Sequence, residues 1–337
     1  MRFPYNASTV YEPALEAQRA FEEATHDLQD LFHCPRHRCV FTSGGTEGNN
    51  TALLALLNHK KKGVLWVSST AHPSMLKTAQ SVQKHGWELQ QLPTTASGTI
   101  DLSAIEQLPK PDIIASEWIN SEVGFIQPIE QICQWAREQN ALTWVDGVQG
   151  IGKSPLLKLE NIDAFVISGH KCGSPIGIGA VMFSEKVKGE ALMLGGGHQD
   201  GRRSGTLPVP LTLTLRDVVR AAIESPPQEL PWPKQLKRHR HQDTLYSPHL
   251  HLVDVSPVDG EILLHQLASE GILVGLGSAC RAARKKPSEV HQAIGLSEQQ
   301  SRRTLRISTV NGFDLDNWST ALKRIDALIV QNSKYFS

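Results

Sequence analysis

Lys171 and Cys172 stand side by side in SGHKCGSP, residues 168–175, so two potential nucleophiles share one glycine-flanked turn. An amine forms a Schiff base with a carbonyl, whereas a thiolate attacks sulfur or acyl centres. A third reactive group, Asp146, closes the apolar run ALTWVD (141–146), and Lys171 follows the run AFVIS (164–168). If both runs are strands, the two side chains reach one crevice at the strand ends, where open α/β sheets gather their ligands. An aspartate and a lysine in this relation also fit a structural ion pair.

Two glycine-rich loops could hold an anion. In SGGTEGNN (43–50), Gly44 and Gly45 let the backbone approach a phosphate, Thr46 adds a hydroxyl, and the apolar helix that follows offers free N–H groups. An ordinary strand-to-helix turn has the same look. The second loop, GVQGIGKS (147–154), matches the P-loop pattern G-x-x-x-x-G-K-S. Pro155 and a strand starting near 164 leave no room for the crossover helix, about a dozen residues, that a nucleotide-hydrolysing P-loop needs. GIGKSP is therefore read as a surface turn.

A Schiff-base lysine and an aspartate facing a pyridine nitrogen are the two groups a pyridoxal phosphate enzyme requires: the carboxylate keeps the ring protonated and the lysine holds the aldehyde. Neighbouring residues suit the rest of such a cofactor. Gln149 can meet the ring hydroxyl, Ser168 and His170 can join Thr46 around the phosphate, and His72 in SSTAHPS can stack on the ring.

FTSGGTEGNN, AHPS, VDGVQ, SGHK, GGGHQDGRRSGTLP, GSAC, PSEV and TLRIS follow one another over residues from about 12 to 320. In kind and order they resemble the cysteine desulfurases, class V aminotransferase-like enzymes that use pyridoxal 5'-phosphate. The resemblance implies Lys171 as the Schiff-base lysine, Asp146 as partner of the pyridine nitrogen, Gln149 at the ring hydroxyl and His72 on the ring. Gly45, Thr46, Ser168 and His170 would surround the phosphate. Thr206, in GRRSGT, would reach the phosphate of a second subunit, which implies a homodimer. Cys280, amid Arg281, Arg284, Lys285 and Lys286, would be the sulfur-accepting thiolate, favoured by those cations. Arg306 would clamp the carboxylate of L-cysteine, with Asn6 and Ser121 on the substrate side. The implied reaction converts L-cysteine to L-alanine and leaves a persulfide on Cys280 for an acceptor protein, in iron-sulfur assembly or tRNA thiolation.

This chain departs from the family pattern at two places. The family carries two successive asparagines where this chain has Asn120 and Ser121, so a contact to the ring hydroxyl is lost or bridged by water. The opening segment, with YNAST, and the stretch around 212–250 are shorter than usual. A selenocysteine lyase, another class V enzyme, or a sulfur-network scaffold without turnover are the alternative readings.

The elements that must position these residues alternate as β-branched runs and helical patterns between 39 and 184. Strands are expected at 39–43, 64–69, 87–93, 112–118, 141–146, 164–168 and 180–184. Helices are expected around Ala17–Phe32, at 74–86 and at 128–140. The fold class is α/β, the fold type I pyridoxal phosphate-dependent transferase. A large domain (12–208) holds a mainly parallel seven-stranded sheet, and a smaller α+β C-terminal domain covers 209–337, with residues 1–11 open to association with it. In the small domain, strands HLVDV, ILVG and TLRIST and helices at 260–271 and 316–331 are expected.

Lys and Arg total 34 and so do Asp and Glu, which argues against a nucleic-acid or anionic-membrane partner. Five cysteines at irregular spacing form no disulfide framework, and no apolar run resembles a signal or a membrane span, so a cytoplasmic protein is expected. HCPRHRC (33–39) lacks zinc-ligand spacing, and no metal is expected. KRHRH (237–241) is read as a solvated connector, and Cys133 as a core residue.

Overall fold

The computed structural model describes residues 4–58, 60–225, 227–277, 288–310 and 312–336. Seven short strands, β1 (Arg38–Thr42), β2 (Val64–Ser68), β3 (Glu88–Leu92), β4 (Ile113–Glu117), β5 (Leu142–Asp146), β6 (Ala164–Ser168) and β7 (Gly179–Phe183), form one sheet in the order β1-β7-β6-β5-β4-β2-β3. Pairing is parallel from β3 through β6, and β7 runs antiparallel to both its neighbours, β6 and β1. All seven expected strands are present within a residue or two.

Period-two alternation sends the strand residues to two apolar layers. On one face Phe41, Trp66, Ile114, Val145 and Phe165 pack with α1 (Glu12–Leu31), α4 (Ile129–Glu138) and α5 (Val209–Glu224). On the other, Leu65, Ala115, Trp144 and Val166 pack with α2 (Gly45–Leu57) and α3 (Pro73–Gln80). α1 turns Ala17, Phe21, Ala24 and Leu28 inward, the stripe expected from their spacing. Cys133 lies in the α4 core, as expected.

α5 was not foreseen, because Pro208 and Pro210 suggest a loop. Both prolines sit where the first-turn N–H groups need no partner, so they start the helix instead of breaking it. Val209, Leu215 and Val219 join the core that holds α1, and Ile223 packs against it, so the apolar layer on this face of the sheet includes α5.

In the C-terminal region β8 (Leu250–Asp254) and β9 (Thr304–Ser308) pair antiparallel. α6 (Gly260–Ser269) and α9 (Leu315–Ser333) cover them with Leu263, Leu267, Trp318, Leu322 and Ile325, and the short α7 (Glu289–Ala293) and α8 (Glu298–Arg302) precede β9. The expected strand ILVG reduces to one bridge, Gly275 with Arg306, while Ile272 and Val274 pack against the core under the helices and Leu273 is exposed. KRHRH is no loose connector. Arg238 bridges to Val253, the His239 N–H donates to Leu252, and Arg238 lies 4.6 Å over the Trp232 ring. Among the described residues no helix is long and apolar enough to cross a membrane.

Candidate active site

The carboxyl ends of β4, β5 and β6 and the start of α2 open on a cavity of about 300 Å³, a volume suited to a small ligand. Arg306 and Gly277 from the C-terminal region close it on one side.

At one end lie the first residues of α2, with Ser168 and His170. The Ser168 hydroxyl and His170 Nδ1 are hydrogen-bonded at 2.9 Å. A Cβ on Gly45 would stand 2.8 Å from Val148 Cγ2, so a side chain there would crowd the cradle. The helix N-terminus, the hydroxyls of Thr46 and Ser168 and the His170 ring make a donor set that suits a phosphate. Glu47 in the first turn is turned to structural use: it accepts from Ser43 N at 2.7 Å and from Arg203 Nε at 2.9 Å. Burial opposes its ionisation, but these donors outweigh burial and hold the carboxyl below the usual range. The pair ties the GRRSGT segment to the anion end.

At the other end Asp146 is buried and accepts one hydrogen bond at each oxygen. Asn49 Nδ2 donates to Oδ2 at 2.8 Å and Val148 N to Oδ1 at 3.0 Å. Asn49 is itself fixed, because its Oδ1 accepts from Trp144 Nε1 at 3.1 Å and its Nδ2 also reaches Ser74 Oγ at 2.9 Å. Ser74 in turn bonds His72 Nδ1 through its hydroxyl at 2.8 Å and its N–H at 3.1 Å. With Nδ1 accepting the backbone N–H, the His72 proton sits on Nε2. Burial lowers the basicity of His72, Asp146 raises it and Lys171 lowers it. Burial raises Asp146 in turn, while Asn49, Val148 and His72 pull it back toward ionisation.

Lys171 projects from the tight turn 169–171 after β6 and lines the cavity between these two ends. Gln149, Ser121 and Glu117 complete the wall. Arg306 Nη1 donates to the Ser121 carbonyl at 3.2 Å, so the guanidinium bridges from β9 to the loop after β4. A side chain on Gly275 would stand 2.9 Å from Arg306 Nη2, so glycine leaves that guanidinium its space.

A sequence profile described as aminotransferase class V matches residues 4–220. The cysteine desulfurase IscS of Glaesserella parasuis is 31% identical over 342 residues, covering 93% of this chain and 81% of that protein. The chain belongs to the cysteine desulfurase family. Among solved structures, a NifS-like protein superposes with a TM-score of 0.86 at 24% identity, over 97% of this chain and 92% of that one. SspA in complex with cysteine has a TM-score of 0.76 and 29% identity, with 92% of each chain covered. The fold expected for the family, a type I α/β architecture, is therefore the observed one.

Within this desulfurase fold, Gly45, Thr46, His72, Ser121, Asp146, Gln149, Ser168, His170, Lys171 and Arg306 all line this cavity. Thr206 and Asn6 are exposed and lie outside it. Cys280 and its basic flank fall outside the described residues. Cys172, half-buried, directs its thiol at the Gly169 carbonyl, 3.2 Å away, and burial pushes that thiol up to about 11. Asn120 accepts from the N–H groups of Glu122 and Val123 and donates to Thr70 O, so it shapes the turn and leaves the cavity to Ser121.

Three contributors escaped the sequence reading. Asn49 is a fully buried asparagine within the apolar face formed by Ala52, Leu53 and Leu56; its place one turn after Gly45 was the available signal. Glu117 is buried at the end of β4, accepting from Thr70 Oγ1 at 2.7 Å and Gln127 Nε2 at 3.2 Å. Lys153, expected on a surface turn, is only 7% exposed. In HCPRHRC, His37 Nε2 bonds the Ile162 carbonyl at 2.9 Å, and Cys34 and Cys39 are buried with their thiols pushed up.

Proposed function

We propose that this chain is a pyridoxal 5'-phosphate-dependent cysteine desulfurase that converts L-cysteine to L-alanine. The observation that carries this reading is the single cavity in which Lys171, an Asp146 held by two donors, His72 and the Ser168–His170 anion end converge with Arg306. This donor set fits the cofactor: a cradle of N–H and O–H groups for the phosphate, a carboxylate for the pyridine nitrogen and an amine for the aldehyde. When bound, pyridoxal phosphate supplies an electron sink for the amino acid's α-carbon.

The remaining work falls to the chain's own side chains. Asp146, anchored by Asn49, would supply the carboxylate that keeps the ring nitrogen protonated. Lys171 Nζ would hold the cofactor's aldehyde and would be the amine available to move the α-proton. His72, with Nδ1 held by Ser74 and its proton on Nε2, would stack on the cofactor ring. Arg306 orients the substrate carboxylate, and its bond to the Ser121 carbonyl fixes where that carboxylate sits. The Cys280 thiolate then attacks the substrate sulfur: an S–S bond forms, the substrate C–S bond breaks, and a proton ends on the new methyl carbon. Alanine leaves and Cys280 carries the persulfide for an acceptor protein.

In this reading a homodimer completes the site, as the family resemblance implies for Thr206; its exposed position outside its own chain's cavity is compatible with that role. A cytoplasmic location accords with thiol chemistry in a reducing compartment. The test is to reconstitute the protein with pyridoxal phosphate, add L-cysteine and quantify alanine. Alanine should accumulate, and Cys280→Ala should keep the cofactor's absorption while losing sulfide release. Undiminished sulfide from Cys280→Ala overturns the assignment of that thiol. Alanine from L-selenocysteine but not from L-cysteine favours a selenocysteine lyase.

A further inference from the structure

The P-loop-like GIGKS stretch hides a lysine to which the steps proposed above assign no role. Lys153 is 7% exposed, and its Nζ donates to Gln149 Oε1 at 2.9 Å. A buried ammonium ordinarily pairs with a carboxylate. This one meets a neutral amide instead, and the titratable groups that act on it are Lys171, Cys172 and Arg306, none of them a carboxylate. Its carbonyl is also engaged, accepting from Ser247 Oγ at 2.9 Å, which fixes the turn against the C-terminal region.

An amide has two unlike ends, one accepting and one donating, and in isolation Gln149 could present either to the cavity. A lysine ammonium has donors only. By occupying Oε1 it leaves Nε2, with its two protons, as the end available to a ligand. An amide whose oxygen is charge-bonded is also a stronger donor at its nitrogen.

We propose that Lys153 is a positioning residue that locks Gln149 with Nε2 toward the cavity, so that the amide donates to an oxyanion, the ring hydroxyl oxygen of the cofactor. The inference rests on the cofactor reading given above. Burial, with Lys171 and then Arg306, lowers Lys153 to about 8, so the ammonium and its grip on Gln149 persist at neutral pH. Removing Lys153 frees the amide to turn its oxygen toward the ring oxygen, replacing attraction by repulsion.

The experiment is a pH titration of the visible absorption of the lysine-bound cofactor in the holoprotein. Deprotonation of the cofactor–lysine linkage leaves more negative charge on the ring oxygen, so a donor there lowers the midpoint. Lys153→Met should raise the midpoint by about one pH unit, the worth of one hydrogen bond. Lys153→Arg, which keeps a charged donor, should restore most of the shift. In a Gln149→Ala background the added Lys153→Met change should move the midpoint by less than a third as much. A Lys153→Met shift of equal size with and without Gln149 would overturn the proposal, because Lys153 would then act only as a nearby charge. So would an unchanged midpoint in Lys153→Met, even with a normal wild-type spectrum. Failure of the wild-type protein to develop any cofactor band would instead overturn the cofactor reading beneath it. Lys153→Gln, neutral but still a donor to Oε1, is the second variant should methionine prevent folding; its midpoint should lie closer to wild type than that of Gln149→Ala, and a midpoint equal to that variant's contradicts the lock.

Discussion

Asn49→Ala is the substitution that most sharply probes how the site is held. It removes a donor to Asp146 Oδ2 at 2.8 Å and an acceptor for Trp144 Nε1 at 3.1 Å, both within the sheet-facing side of α2. A hydrogen bond to a charged group is worth about 1.5–3 kcal/mol, and leaving the fully buried Trp144 N–H without a partner costs about 1–3 kcal/mol. The expected loss is about 3–5 kcal/mol, a large part of the stability of a typical protein. Urea unfolding of the protein without cofactor measures it, with Asn50→Ala as the control. Asn50 donates only to the Thr46 carbonyl on the outer side of the same helix, and its loss should stay below about 1 kcal/mol. Equal midpoints for the two variants would refute the argument that Asn49 anchors Asp146. In the holoprotein the same variant should release cofactor faster, because an Asp146 robbed of a donor is harder to keep ionised.

Two further outcomes follow from buried titratable groups. Burial raises the Glu117 carboxyl against the pull of its donors Thr70, Ser68 and Gln127; a neutral Glu117→Gln should therefore stay within about 1 kcal/mol of wild type in urea unfolding, whereas Glu117→Ala, which orphans Thr70 and Gln127, should lose about 2–4 kcal/mol. Equal losses would show that the charge matters. In the C-terminal region burial is the leading cause that pushes His291 and His249 down to about 4 and His251 to about 3. These folded values lie below the free imidazole's, roughly 6.5, so the stability of the neutral rings is complete above that pH and is lost as pH falls toward 4. His251 alone, whose Nδ1 lies 3.1 Å from Arg240 Nη2, should cost about 2 kcal/mol between pH 7 and pH 5; unfolding curves that coincide at the two pH values would contradict neutral rings.

Much of this was legible because periodicity and turn chemistry are local. The seven strands stand out as apolar runs, and Asp146, Ser168 and Lys171 were placed by their positions at or just past strand ends. What was illegible depends on tertiary partners. Pro210 reads as a breaker until the preceding turn shows that it opens a helix. Lys153 reads as solvent-facing because a lysine beside glycine and proline usually is; only the packing of the turn against the cavity wall and Ser247 buries it. Asn49 is a polar residue in an apolar stripe, and its partner lies on a strand ninety-seven positions away. The short ILVG run carries strand composition, yet only Gly275 finds a ladder partner.

The central claim is that Lys171, and not its buried neighbour Lys153, carries the cofactor. Borohydride reduction of the pyridoxal phosphate-loaded protein, followed by mass spectrometry of its peptides, reads this residue directly. The pyridoxyl-phosphate mass should appear on the peptide containing SGHKCGSP, at Lys171, and vanish in Lys171→Ala. Its appearance on Lys153, or on no lysine, would contradict the site as built.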